Sequence, residues 1–206
     1  MARVGLLGGT FNPPHIGHLV CADQALAQLE LDVVRLLPAR LPPHKEVPAD
    51  PGPEVRLALC RAAVAGSPRL AVCDLEVRRP GPSWTVDTLR VLDADAPGDQ
   101  LTFIVGGDMA RSLPTWREPE TILALAELAV AEREDIRRRE IAQALEALPA
   151  AQERVRFFEM PRLDVSSSWL RAQVAAGRPI RHLVPDAVAE LIESRGLYRA
   201  GEGGWA

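Results

Sequence analysis

A chain of 206 residues, 47% apolar and 25% charged, has the balance of an ordinary soluble globular protein and the length to bury a core without staples. Its formal net charge of −4 excludes a surface drawn generally to nucleic acid or anionic lipid, though it permits a basic pocket. Cys21, Cys60 and Cys73 are odd in number and widely spaced, which excludes a disulfide frame or zinc site and predicts reduced thiols.

Short apolar runs at 4–7, 33–37, 70–73, 101–105, 128–131 and 155–158 are bounded by turn residues, as strands buried on both faces are. Helical spacing fills the intervals at 19–29, 54–65, 85–92 and 136–148; Pro53 suits the start of the second. In the last of these, Ile141, Ala144, Leu145 and Leu148 share one face, and the charged run 132–140 reads as a solvated helix start. This alternation predicts an α/β protein with a Rossmann-like doubly wound parallel sheet over 1–160. Helices alone follow, at 167–176 and 185–195, giving a small C-terminal helical part over 161–200 and a flexible tail at 201–206. No basic-then-apolar leader opens the chain and no run approaches a membrane span of about 18 apolar residues, so a cytoplasmic protein is expected.

The segment Gly8-Gly9-Thr10-Phe11-Asn12-Pro13-Pro14-His15-Ile16-Gly17-His18 joins the first strand to a helix, at the sheet edge where open α/β folds bind ligands. Gly8 and Gly9 permit close approach and positive φ, so that amides, with those of Thr10 and Phe11, can face an anion. The helix start adds its unpaired N–H groups and positive dipole end. His15 and His18 are three apart and lie on one face, an arrangement hard to explain as packing alone. Lys45, with His44, follows the second strand in Pro42-Pro43-His44-Lys45, where a lysine can reach a polyphosphate. Arg56 is a further candidate cation, with a structural role equally open. Ser83 or Thr85 suits the cap of the helix at 85, and Asp87 suits tying its start together. Gly106-Gly107-Asp108 ends the fourth strand, where glycine admits a nucleotide and Asp108 can bind a ribose hydroxyl or support a metal-bound phosphate. Trp116 follows in a loop. Ser166-Ser167-Ser168-Trp169-Leu170-Arg171 opens the first C-terminal helix, with serines at its cap and Arg171 one turn on.

The Gly8–His18 segment resembles the T/HxGH element of the nucleotidyltransferase superfamily, in the form used by the nicotinate mononucleotide adenylyltransferase family. Four further segments resemble that family's motifs in order. They are Pro-His-Lys at 43–45, Ser-Trp-Thr-Val-Asp-Thr-Leu at 83–89, Gly-Gly-Asp at 106–108 followed by Trp116, and Val-Ser-Ser-Ser-Trp-Leu-Arg at 165–171. The departures are Trp84 for tyrosine, Val165 for isoleucine and Ser168 for threonine.

The resemblance implies an enzyme that moves AMP from ATP onto nicotinate mononucleotide, giving nicotinate adenine dinucleotide and pyrophosphate. It implies ATP binding by Gly8, Gly9, Thr10, Phe11, His18, Gly106, Asp108, Ser167, Ser168 and Arg171. It implies mononucleotide binding by His44, Lys45, Trp84, Thr85, Asp108 and Trp116, and catalysis by His15, His18, Lys45 and Arg171. Mg²⁺ is expected on the ATP phosphates, with no dedicated protein metal site; neither nucleic acid nor membrane is an expected partner, and a homo-oligomer is open. Nicotinamide mononucleotide or phosphopantetheine remains an alternative substrate, and an ATP sensor without turnover is the alternative of another class.

Overall fold

The computed structural model describes residues 1–43, 46–132 and 135–199, and of 135–137 only the backbone. The expected strands form as β1 (Arg3–Gly9), β2 (Val33–Pro38), β3 (Leu70–Val72), β4 (Gln100–Gly106), β5 (Ala126–Glu132) and β6 (Val155–Glu159). They pair in parallel in the order β3-β2-β1-β4-β5-β6. In the central register Leu7 lies beside Leu36 on one flank and Ile104 on the other. The order changes direction between β1 and β4, so their carboxyl ends flank the crevice in which such sheets take ligands.

The helices are α1 (Ile16–Gln28), α2 (Pro53–Val64), α3 (Leu75–Arg78), α4 (Thr85–Asp95), α5 (Gly107–Ser112), α6 (Pro119–Leu125), α7 (Asp135–Leu145), α8 (Ala151–Arg154), α9 (Ser167–Ala175) and α10 (Asp186–Ser194). Of these α3, α5, α6 and α8 carry four to seven residues each, too few to display a helical period in the sequence. The charged run also divides: Glu132 ends β5 with its side chain only 10% exposed, while Arg138, Arg139 and Glu140 are exposed on α7. The predicted tail, 201–206, lies outside the described residues.

Strand alternation sends successive apolar side chains to opposite faces. Leu6, Phe103 and Val105 pack against Leu89 of α4, Ile122 of α6 and Ile141 of α7. Their neighbours Leu7 and Ile104 pack on the other face with Ala22, Ala25 and Leu26 of α1. A third cluster joins Leu59 and Ala63 of α2 to Leu170 of α9 and Val188 and Ile192 of α10. Each such aliphatic side chain contributes about 1.5–3 kcal/mol when fully buried. The C-terminal helices are thereby anchored to α2, beside the carboxyl ends of the central strands. Cys21, Cys60 and Cys73 are free thiols, and burial pushes Cys60 and Cys73 up, away from the reactive thiolate.

Arg56 is fully buried. Its Nε donates to Asp50 Oδ1 at 2.8 Å, Nη1 to Thr10 O at 3.0 Å and Ala39 O at 2.6 Å, and Nη2 to Arg40 O at 2.9 Å. The candidate cation is therefore a clamp on the loops that follow β1 and β2. Replacing it with methionine leaves Asp50 and three part-buried carbonyls without their partner, for an expected loss of about 3–5 kcal/mol in urea denaturation. Arg56→Lys should be almost as damaging, since one ammonium cannot span acceptors set out for a planar fork. Near wild-type stability in either variant would show that the clamp does not hold the edge together.

Candidate active site

β1 ends in glycines because aromatic rings occupy the space beside them. A Cβ added to Gly8 would lie 2.8 Å from Phe103 Cζ, and one added to Gly9 would lie 2.9 Å from Phe11 Cζ. Neither glycine has a positive φ, contrary to the expectation from sequence; the left-handed residue of the turn is Phe11, at φ 52°. Its buried ring meets the His18 ring edge-on, with centroids 4.9 Å apart.

His15 is the extended residue before α1, and its N–H donates to His18 Nδ1 at 3.1 Å. A neutral His18 therefore carries its proton on Nε2 and offers a donor there. The two imidazole centroids are 3.8 Å apart. Gly17 makes the neighbouring approach feasible: a Cβ there would lie 3.0 Å from His15 Nδ1 and 3.3 Å from Val165 Cγ1.

The same loop receives α9. Ser166 caps that helix, accepting from Trp169 N at 3.2 Å. Ser167 Oγ donates to Pro13 O at 2.8 Å, while Arg171 Nη1 donates to Asn12 O at 2.8 Å and Nη2 to Ser168 Oγ at 3.2 Å. Tyr198 Oη donates to Asn12 Oδ1 at 2.7 Å, and Asn12 Nδ2 reaches Pro48 O and Ala49 O at 3.3 Å each. Burial pushes the Tyr198 phenol up, keeping it a donor.

Across the crevice, Gly106 precedes α5 with open space where a side chain would stand. Asp108 is exposed and pairs with Arg111 at 3.3 Å. Trp116 donates from Nε1 to Ser112 Oγ at 2.9 Å and packs edge-on against Phe103, centroids 6.1 Å apart. At α4 the sequence expectation needs correction. Trp84, not Ser83 or Thr85, is the cap residue, and its side chain makes no capping hydrogen bond. Ser83 Oγ instead accepts from Arg40 N at 2.9 Å. Asp87 does secure this start, through Arg117 at 3.4 Å and Arg90 at 3.8 Å.

These walls enclose a cavity of about 920 Å³, within the usual size for a ligand site. The β1 loop contributes Gly8, Gly9, Thr10, Phe11, His15 and His18; α9 contributes Ser167, Ser168 and Arg171. Trp84 and Thr85 line it from α4, and Gly106, Asp108 and Trp116 from beyond β4. His44 and Lys45 lie outside the described residues. Glu76, Arg117 and Glu132 line the cavity without having been singled out as ligands in the sequence. Their signal there was only charge, and charged residues are mostly solvated. Burial is what marks Glu76: it accepts from Thr88 Oγ1 at 2.7 Å, and Thr88 in turn accepts from Arg79 Nη2 at 2.8 Å. Burial raises its carboxyl above the ordinary range, against the hydrogen bonds of Thr88 and Ser83 and the charge of Arg79.

A cytidylyltransferase-like family model matches residues 6–173. A "Probable nicotinate-nucleotide adenylyltransferase" of Synechococcus sp. (strain JA-3-3Ab) is 44% identical over 197 residues, covering 95% of this chain and 94% of its own. The protein of the same name from Roseiflexus sp. (strain RS-1) is 44% identical over 198 residues, covering 96% and 98%. The chain belongs to the nicotinate-nucleotide adenylyltransferase family. A solved nicotinic acid mononucleotide adenylyltransferase of Plasmodium falciparum, complexed with NaAD, shares the fold of this adenylyltransferase at a TM-score of 0.76. Their identity is 18%, over 96% of this chain and 98% of that one.

In this adenylyltransferase the raised Glu76 carboxyl has a consequence for stability. A carboxyl that holds its proton more tightly folded than unfolded stabilises the fold below its unfolded pKa, and that contribution is lost as pH rises through the folded one. The loss begins above the ordinary value of 4.5. Glu76→Gln keeps the shape and never charges, so its melting temperature relative to wild type should climb between about pH 4 and pH 8. A difference that stays constant across that range would refute the effect of burial on Glu76.

Proposed function

We propose that the protein transfers AMP from ATP to the 5′-phosphate of nicotinate mononucleotide, yielding nicotinate adenine dinucleotide and pyrophosphate as a step of NAD biosynthesis. The substrate assignment is supported by relatives of that name at 44% identity over nearly the whole chain. The observation that carries the mechanism is the docking of α9 on the β1 loop, which puts His15, His18 and Arg171 on one cavity beside the β1–β4 crevice.

The attacking phosphate is already an anion at neutral pH, so the reaction needs neither a general base nor a covalent enzyme intermediate. What remains is to hold two polyanions in line and to neutralise the charge that develops on the leaving pyrophosphate. The amides of the β1 loop and the Nε2–H of His18 donate to phosphate oxygens there. Arg171, with Ser167 and Ser168, closes on the β- and γ-phosphates from the other side, and Lys45 with His44 is assigned to phosphate contact on the mononucleotide. Trp84, Thr85 and Trp116 receive the pyridine ring, and the open space at Gly106 with the carboxylate of Asp108 receives ribose.

Among the described residues no three His, Cys, Asp or Glu side chains converge as a metal cage. We assign Mg²⁺ to the substrate phosphates, where it is commonly carried with few protein ligands. When bound, the ion adds charge neutralisation on the leaving group. We treat 161–200 as the appendage that presents the phosphate clamp to the core 1–160. No helix among the described residues is long and apolar enough to cross a membrane. We assign the protein to the cytoplasm, in keeping with its free thiols.

Release of pyrophosphate from ATP, Mg²⁺ and nicotinate mononucleotide tests the assignment. His18→Ala should lower kcat/KM by about 100-fold or more, as loss of a donor to the developing charge does, while the chain still folds cooperatively. An active His18→Ala enzyme would remove His18 from the mechanism, and a wild type that forms no dinucleotide would remove the substrate.

A further inference from the structure

Four charged side chains knit α4 to the start of α6. Arg90 Nη2 lies 2.5 Å from Glu118 Oε2 and its Nη1 3.8 Å from Asp87 Oδ1. Arg117 Nη1 lies 3.4 Å from Asp87 Oδ2 and its Nε 3.8 Å from Glu118 Oε1. The two acids and two bases cancel in sum but not in direction. Of the four, Arg117 is the one that lines the cavity. Its guanidinium also lies over the Trp84 ring, 5.9 Å from the centroid, and the adjacent Trp116 forms the neighbouring part of the wall. A planar cation with its acids behind it and an aromatic face beneath it is held in one place at little entropic cost.

Taking nicotinate mononucleotide as the substrate proposed above, we infer that Arg117 is a specificity-determining residue that reads the carboxylate of the pyridine ring. The cavity-lining guanidinium of Arg171 is bonded to the β1 loop and belongs to the phosphates. Arg117 stands instead on the wall formed by the aromatic side chains, tied through Asp87 to the first turn of α4, whose cap residue Trp84 makes no side-chain capping bond. A ring lying against Trp84 or Trp116 presents its substituent to that guanidinium and those amides together. A carboxylate accepts from both. A carboxamide brings no charge and sets its own NH₂ donors against theirs, so the same wall that favours one mononucleotide disfavours the other.

Pyrophosphate release by wild type, Arg117→Ala and Arg117→Lys with ATP and either nicotinate or nicotinamide mononucleotide tests this. Arg117 is half-exposed, so its replacement leaves the core intact. The alanine variant should lose about tenfold in kcat/KM for the nicotinate substrate through KM, with kcat and the KM for ATP within about twofold. Activity on the nicotinamide substrate should hold, so the selectivity ratio falls about tenfold. The lysine variant should keep part of the ratio, because charge survives while the planar contact does not. Raising salt from about 0.05 M to about 0.5 M should erode the selectivity of wild type and not that of the alanine variant. Equal losses on both mononucleotides would place Arg117 at the shared 5′-phosphate and overturn the inference. An active wild type whose selectivity survives in Arg117→Ala would overturn it alone, whereas a wild type inactive on nicotinate mononucleotide would overturn the proposed function and this inference together.

Discussion

The buried guanidinium of Arg56 is the constraint on which the carboxyl edge of the sheet depends. Loops leaving β1 and β2 turn inward there, and Thr10, Ala39 and Arg40 direct carbonyl oxygens into a region without water access to the cation. Unpaired, each carbonyl would cost about 1–3 kcal/mol. One planar group satisfies all three while Asp50 compensates its charge. The clamp rides on α2, whose apolar face also holds α9 and α10. The position of the β1 loop and the position of the helix that docks on it thus trace to the same element.

Asn12 performs the complementary task from within the loop. Its carbonyl accepts Arg171, its side-chain oxygen accepts Tyr198, and its amide reaches the segment before α2. Residues 186 apart in sequence are therefore joined at one side chain. A loop secured from so many directions is held in one conformation, the preorganisation that the proposed phosphoryl transfer asks of a protein. Gly17 and the two glycines that end β1 serve the same closeness. Each yields its side-chain volume to a ring that lines the cavity.

Charge in the cavity is sorted by wall. Arg171 faces the end where phosphates are assigned, Arg117 lies beside Trp84, and the raised carboxyl of Glu76 is hydrogen-bonded to Thr88 and Ser83. The protein carries a net negative charge, so its attraction for two anionic substrates is local. That suits a small, enclosed site and gives no general affinity for polyanions.

The sequence by itself determined the sheet, because strands buried on both faces must be short apolar runs, and all six can be found that way. It also singled out most of the side chains that meet at the cavity: the histidine pair, the serines with Arg171, and the aromatic residues Trp84 and Trp116 stand in segments whose pattern is local. Tertiary structure alone decided where each arginine's charge is placed. Arg56, Arg171 and Arg117 are indistinguishable as letters, yet one is sealed in a clamp, one reaches across 159 residues to Asn12, and one lies over an indole. Burial and long-range hydrogen bonding set those roles, and neither has a period or a spacing in the chain. For the same reason the roles of Tyr198 and Glu76 emerged only when distant segments met.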